Sequence, residues 1–322
     1  MLFKKYIDQT VQCSICNKET NISLCNKLRR GFGVVYFCEH CDIGFLVREN
    51  FDIKSFYRNQ YRESASHRAQ AKKTNAKEIF ENNRLFQKER LDLIRPYVFA
   101  ESKVLEIGAS SGQFVSHIID DCSRIAAIEL DIDCVKFLNE NFSIETDSEF
   151  FEDSKFSDDE FDIVCSFQVL EHTLNPIDFM KTIFKATKVG GRAFIELPNL
   201  KDPLLQLWDV PAYQSFYYHA EHLFYFTENS LKKVCEMAGF DPIKMKVHFS
   251  QDYNLLNHIH WIMNNAPQET NKIGLSEINL KHISGNELSF WLNDKLKELN
   301  KEYINKLKDL GMTSNLMIEL EK

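Results

Sequence analysis

The chain has 322 residues, 44% of them hydrophobic, and a formal net charge of -8. That length supports a full buried core, arranged as one large domain with additions or as two domains, and the negative charge argues against non-specific binding to nucleic acid or anionic membranes. No run of about 20 apolar residues could span a bilayer, and Met1 to Thr10 lacks the apolar core of a signal peptide, so a cytoplasmic protein without a membrane span is expected.

Nine cysteines in a reducing compartment predict metal ligands and core residues rather than disulfides. Cys13 and Cys16 form one C-x-x-C pair, and Cys38 and Cys41 form another. The intervening stretch is one residue longer than the usual range for zinc ribbons. Four thiolates close a tetrahedral ion and leave no position for a catalytic water, so the expected role is structural zinc, stabilising a ribbon with too little core to fold alone. Two redox pairs are the alternative. Cys25 and His40 lie inside the module and are expected to be non-ligands, because the pairs already supply four.

Asp52 to Arg95 is polar, lacks glycine and proline, and carries Ile79, Phe80, Leu85, Phe86, Leu91 and Ile94 at helical intervals, which predicts a largely helical segment.

Lys103 to Asp131 reads as strand, glycine-bearing turn, helix and second strand. Val104, Leu105 and Ile107 form the first strand, Gly108 and Gly112 bracket a turn, and a helix is expected to begin near Gln113. The second apolar run, Ile125 to Ile128, ends at Glu129, about 20 residues beyond the turn, where an open α/β sheet sets a carboxylate against ribose hydroxyls. A nicotinamide or flavin site would need glycines where the chain has Ser110 and Gln113. Gly108 to Gly112 also spells G-x-S-x-G, the nucleophile elbow of α/β-hydrolases with Ser110 as nucleophile, but an elbow normally follows several strands and gives Glu106 no part. The pattern E-x-G-x-x-x-G followed by a strand-ending acid uses every residue quoted. It resembles the first two motifs of class I S-adenosylmethionine-dependent methyltransferases.

That resemblance implies a Rossmann-like α/β fold with a seven-stranded sheet whose last strand is antiparallel. It implies that the loop Gly108, Ala109, Ser110 and Gly112 approaches the methionine part of the cofactor, and that Glu129, with Leu130 beside it, binds the ribose. Glu106 would hold the loop or, through water, the cofactor's amino group. The family often has glycine where this chain has Ser110. Ser55 to Tyr61 resembles a segment that packs over the cofactor, which makes Tyr57 and Tyr61 candidate contacts; their plain reading is the wet edge of a linker helix.

A helix from about Asp133 to Asn141 and a short strand around Phe142 to Glu145 are expected next. In the resembled family the following loop, here Asp147 to Phe150, reaches the adenine, which nominates Asp147 and Glu149. Phe161 to Phe167 is a fourth strand, buried on both faces by its near-continuous apolar character. Gln168 and His172 follow it, then a helix after Asn175-Pro176 and a Gly190-Gly191 turn into a strand from Ala193 to Leu197. Lys201 to Ala220 is read as a substrate-side insertion, and Thr227 to Ser230 as the cap of a helix from Leu231 to Met237. A sixth strand from Ile243 to Phe249, helices at Leu255 to Asn264 and about Glu287 to Leu310, and a last strand from Ser314 to Glu321 complete the chain. The expected organisation is a zinc ribbon over 1–50, a helical linker covering the cofactor over 51–100, and a methyltransferase domain over 101–322 with a helical insertion at about 251–312.

A hydroxyl acceptor needs a base, and histidine is the side chain best tuned for that near neutral pH. His222 is the first candidate, just beyond the fifth strand, with His219 close in sequence and His172 next to the fourth strand. Glu171 and His172 resemble part of an E-x-x-E-H segment that binds a divalent ion in some quinone-biosynthesis methyltransferases, with Gln168 replacing the first acid. The four-cysteine ribbon, the core, the Pro198-Asn199 turn and the H-L-F-Y-F-T segment together resemble bacterial methyltransferases of surface-polysaccharide and nucleotide-sugar pathways. This implies O-methylation of a sugar or sugar-derived group, the acceptor being a nucleotide sugar or other glycan. A sugar C-methyltransferase, a ribosomal-RNA methyltransferase and a non-catalytic partner subunit are the alternatives.

Overall fold

The computed structural model describes residues 4–29, 31–48, 75–158, 160–268, 274–275, 277–280 and 286–322. The chain divides into two compact units, one of 1–48, 198–227 and 249–316, the other of 49–197, 228–248 and 317–322.

In the first unit, β1 (Lys5–Gln12), β2 (Glu19–Cys25), β3 (Val34–Cys38) and β4 (Ile43–Val47) form an antiparallel meander. β10 (Phe224–Tyr225), from far along the chain, pairs with β4 as the fifth strand. The inner faces of β2 and β3 supply Ile22, Leu24, Val35 and Phe37 to a core shared with Leu204, Tyr213 and Trp261. The last three come from the short helices α5 (Pro203–Gln206) and α6 (Pro211–Tyr217) and from α8 (Leu255–Asn264). Sequence periodicity could not foresee this, because a five-stranded ribbon buries its face only against helices recruited from far away. The long helix α9 (Glu287–Asp309), capped by Asn286, also belongs to this unit.

The second unit is built on a seven-stranded sheet, ordered β11-β12-β9-β8-β5-β6-β7 among the described residues. The strands are β5 (Lys103–Ile107), β6 (Arg124–Ile128), β7 (Glu145–Asp147), β8 (Phe161–Phe167), β9 (Thr187–Pro198), β11 (Met245–Ser250) and β12 (Asn315–Glu321). From β7 to β9 neighbours run parallel. The amide of Gly190, at the start of β9, donates to the carbonyl of Lys322 just past the end of β12, and Lys322 donates back to Gly191. Start meets end only if β12 runs antiparallel to β9, the alignment expected for the last strand. The sheet is thus the Rossmann-like one that the resemblance implies. The chain builds outward from β5 to β7, then returns to lay β8 on the other side of β5, and the crevice at such a reversal, beyond the strands' carboxyl ends, is where open α/β sheets bind ligands.

Helices α1 (Ala76–Asn83), α2 (Lys88–Ile94), α3 (Ile132–Asn141), α4 (Pro176–Ala186) and α7 (Glu228–Met237) pack in this unit. Asn75 and Glu78 form a reciprocal capping box at the start of α1, satisfying two amides that a helix leaves without internal partners. Residues 75–95 are helical as expected; the rest of the segment that begins at Asp52, with Tyr57 and Tyr61, lies outside the described residues.

Two local expectations are corrected. The helix expected from Gln113 is only a tight turn, Val115–His117, closed by three-residue hydrogen bonds. Its sequence, Val-Ser-His-Ile-Ile-Asp-Asp, combines β-branched residues with two acids at the end where a helix dipole is negative, so little favours a longer helix. The third strand falls at Glu145–Asp147 instead of Phe142 to Glu145, because Phe142 packs in an aromatic cluster with Phe80 and Phe137. The Thr227 hydroxyl donates to the Asp42 carbonyl and carboxylate at 2.9 and 2.7 Å, beside the second cysteine pair.

Candidate active site

At the ends of β5 and β6 the backbone of the Gly108 to Gly112 loop is folded onto the neighbouring strand. The amides of Gly108 and Ala109 both donate to the Ile128 carbonyl, at 2.7 and 3.1 Å. The Ser110 amide donates to Glu129 Oε2 at 2.7 Å, and the Asp131 amide donates to Glu129 Oε1 at 2.8 Å. Both Glu129 oxygens thus hold the loop to the end of β6. Leu130 beside it is half-buried.

Gly108, Ser110 and Gly112 all adopt positive φ, of 76°, 48° and 82°. A Cβ at Gly108 would sit 2.4 Å from Val169 Cγ2, and one at Gly112 would sit 2.7 Å from Leu138 Cδ2. The protein's own packing therefore demands both glycines. Ser110 adopts a left-handed conformation that an L side chain enters only at a cost. Its hydroxyl contacts Gln113 Nε2 at 3.3 Å and Cys134 Sγ at 3.8 Å, and no histidine hydrogen-bonds it among the described residues, unlike the nucleophile of a hydrolase elbow.

Glu106 lies on β5 beneath this loop, 4% exposed. Burial pushes its carboxyl up to about 8, and Glu129 adds to the rise while Arg90 opposes it. Its Oε2 is buried without a hydrogen-bond partner among the described residues, as is Ser111 Oγ. Buried polar atoms are normally paired. Acceptor oxygens left open under a strand-end loop therefore fit a cofactor that brings an amino group and ribose hydroxyls.

Asp147 organises the loop after β7: Oδ1 accepts from the Glu149 amide, and Oδ2 accepts from the Ser154 hydroxyl and the Lys155 amide, at 3.2, 2.8 and 3.0 Å. Partial burial works against its charge, yet these hydrogen bonds hold the carboxyl below its ordinary value. Glu149 is exposed.

Gln168 ends β8 with φ of 60°. Its amide donates to the Glu196 carbonyl at 2.7 Å, and its side chain reaches Glu196 Oε1 at 3.3 Å. Arg90 on α2 grips the same Glu196 carboxylate through Nε at 3.1 and 3.2 Å and lies 4.3 Å over the Phe167 ring. Sequence reasoning missed Arg90 and Glu196. The one signal was a glutamate inside an otherwise apolar strand, which implies a buried countercharge. Glu171 is buried, with His172 Nε2 at 3.8 Å from Oε1.

In the first unit the rings of His219 and His222 lie with centroids 3.7 Å apart, tilted by 49°. Both residues are buried. His219 Nδ1 meets Glu221 Oε2 at 2.8 Å, and the Tyr225 hydroxyl pins the His219 peptide, accepting from its amide and donating to its carbonyl at 3.0 Å each.

The four cysteine sulfurs Cys13, Cys16, Cys38 and Cys41 lie within 4.8 Å of one another. Cys16 and Cys38 are 3.7 Å apart, close to the roughly 3.8 Å between thiolates on a tetrahedral ion with metal-sulfur bonds of about 2.3 Å. Each pair is followed by a left-handed residue, Asn17 at 58° and Asp42 at 56°, so the two knuckles share one backbone shape. Burial pushes Cys13 up to about 11 and Cys41 higher still; a bound cation would reverse this, since the thiolate is the ligand form. Cys25 and His40 stand apart, bonded to the Lys27 carbonyl and to Lys18.

A Rossmann-like sheet with acceptor carboxylates at the ends of its first two parallel strands defines a protein that binds a nucleoside cofactor. Residues 71–245, more than half of the chain, match the family described as methyltransferase domain. The chain belongs to that family, and is an S-adenosylmethionine-dependent methyltransferase of class I.

Solved structures share the fold. A SAM-dependent methyltransferase from Archaeoglobus fulgidus is 19% identical, with a TM-score of 0.50 over 76% of this chain and 97% of that one. A possible histamine N-methyltransferase from Thermotoga maritima is 13% identical, with a TM-score of 0.50 over 84% and 100%. A chain of a complex between a Haloferax volcanii methyltransferase activator and a putative methyltransferase is 12% identical, with a TM-score of 0.52 over 82% and 96%. No curated protein sequence matches. No helix among the described residues is long and apolar enough to cross a membrane.

Proposed function

We propose that the protein transfers a methyl group from S-adenosylmethionine to a hydroxyl of a sugar or sugar-derived group, with a nucleotide sugar or glycan as acceptor, and that a zinc ion on Cys13, Cys16, Cys38 and Cys41 holds the ribbon together. The observation that carries the transferase half is the Glu129 carboxylate, fixed by two backbone amides at the end of β6. A carboxylate held at that strand end suits the ribose hydroxyls. Glu106 Oε2 suits the methionine amino group, directly or through water, and Gly108 to Gly112 supplies the wall. Leu130, Asp147, Glu149, Gln168 and Tyr57 are assigned to the rest of the cofactor's surroundings.

When bound, the cofactor would supply a sulfonium methyl open to in-line attack by an acceptor oxygen, the sulfur leaving as a neutral thioether. The chain's own task is then to position the acceptor, exclude water and take one proton. His222 is assigned as the base. His219, oriented by Glu221, lies against its ring, and His172 is the second candidate. Support for a sugar acceptor comes from the resemblance carried together by the ribbon, the core, the Pro198-Asn199 turn and the His222 to Thr227 segment.

The test is mass spectrometry of products after incubation with isotopically labelled cofactor and a panel of nucleotide sugars. Labelled methyl on a sugar hydroxyl is expected. Label on a sugar carbon or on RNA would move the acceptor, and tight cofactor binding with no turnover on any acceptor would favour a partner subunit.

A further inference from the structure

We propose that Glu196, on β9, is a positioning residue for the cofactor loop, its carboxylate holding the contacts that seat both ends of that loop, at Gly108 and at Gly112. This role rests on the assignment of the Gly108 to Gly112 loop to S-adenosylmethionine. Glu196 is 4% exposed and pairs with Phe167 where β8 and β9 run parallel. Ala193, Phe194, Ile195 and Leu197 around it are apolar and buried, so a carboxylate at this position needs a reason.

One route runs from Glu196 to Gly108. Gln168, directly after β8, has a left-handed φ of 60°, a conformation that is costly for a residue with a Cβ. Glu196 offsets that cost with two hydrogen bonds: its carbonyl accepts from the Gln168 amide at 2.7 Å, and its Oε1 accepts from Gln168 Nε2 at 3.3 Å. The turn held in this way sets Val169 against Gly108, so closely that a Cβ on Gly108 would lie 2.4 Å from Val169 Cγ2. The other route runs through Arg90 to Gly112. Arg90 grips the Glu196 carboxylate through Nε and Nη2 and donates from Nη1 to Gln87 Oε1 at 3.0 Å. The guanidinium, fixed at all three nitrogens, lies 4.3 Å over the Phe167 ring. Phe167 packs edge-on against Phe114, with centroids 5.0 Å apart, and Phe114 is two residues past Gly112.

Stability alone does not account for this arrangement. A buried ion pair is often matched by apolar residues of the same volume, but an apolar side chain on β9 would accept no hydrogen bond from the Gln168 side chain. What the carboxylate adds is direction, because its oxygens bind the turn and the guanidinium at once. A binding site whose supporting contacts shift by about 1 Å is too loose to work.

Stability and cofactor affinity, measured on the full chain, separate a structural pair from a positioning one. In the double variant Arg90→Met, Glu196→Leu, urea unfolding should stay close to that of the wild type, because both partners are replaced together. Calorimetric titration with S-adenosylmethionine should nonetheless show affinity lowered about 10-fold, the size of one lost hydrogen-bond anchor. Adding Gln168→Gly, which takes the left-handed turn without a side-chain penalty, should raise that affinity again by about 3-fold or more; a glycine could not replace a lost direct contact. Val169→Ala, which leaves the ion pair whole, should weaken binding by itself and add little to the loss in the double variant, as expected of two links in one chain of contacts. The role is overturned by wild-type affinity in the double variant, by no recovery with Gln168→Gly, or by unchanged affinity in Val169→Ala. Unchanged affinity in Glu129→Ala, measured alongside, would refute the loop assignment, and this role with it.

Discussion

The Ser110 amide donates to Glu129 Oε2 at 2.7 Å, so the residue assigned to the ribose also shapes the loop assigned to the methionine. Removing the Glu129 side chain takes away both. Glu129→Ala should weaken S-adenosylmethionine binding at least about tenfold, the equivalent of one good charge-assisted hydrogen bond, while turnover at saturating cofactor falls less. Calorimetric titration alongside turnover separates the two, and unchanged cofactor affinity would refute the assignment.

Ser110 occupies a left-handed conformation at φ 48°, where a β-branched residue is strained most. Ser110→Val should therefore destabilise the protein by more than about 1 kcal/mol. Ser110→Gly should change stability by less than about 1 kcal/mol, because relief of strain is offset by the freer unfolded chain. Urea unfolding of the two variants gives the comparison.

Arg90 and Glu196 form a mostly buried pair, with side chains 22% and 5% exposed. Arg90→Ala leaves the carboxylate inside without its countercharge and should cost about 3–5 kcal/mol. The double variant Arg90→Ala, Glu196→Gln should recover part of that loss. Denaturation midpoints for the single and double variants test the coupling.

Glu106 holds its proton up to about 8, against 4.5 for an ordinary glutamate. The folded protein thus binds more protons than the unfolded chain between those values, and its stability without cofactor should fall as pH rises through that window, by up to about 1.4 kcal/mol per pH unit. Glu106→Gln should flatten this dependence. The cationic amino group of the cofactor favours the carboxylate, so binding near pH 7 should release protons, visible as a binding heat that varies with the buffer's ionisation enthalpy. No buffer dependence in the wild type would exclude a titrating Glu106.

His222→Ala should lower turnover by about 100-fold or more, the usual effect of losing a general base, with cofactor affinity nearly intact. Full activity with the true acceptor would dismiss His222 as the base. At the cysteine cluster, metal analysis should find one zinc per chain. Cys38→Ser should lose it and lower the first unit's stability by at least about 3 kcal/mol.

The sequence by itself determined the elements whose physics is local. Phe161–Phe167 is a continuous apolar run and became the central strand β8 with those bounds; Leu255–Asn264 has helical periodicity and became a helix. The two cysteine pairs announced their cluster because short spacing alone brings each pair together. The tertiary structure decided what depends on distant partners. Phe224–Tyr225 completes a sheet begun at Lys5, and Glu196 finds its countercharge on Arg90, 106 positions earlier. Gln251, held by the Ser314 amide, meets His258, whose ring reaches Tyr303 45 positions further on. A hydrophobic pattern records whether a side chain faces inward, and is silent on which buried group it will meet there.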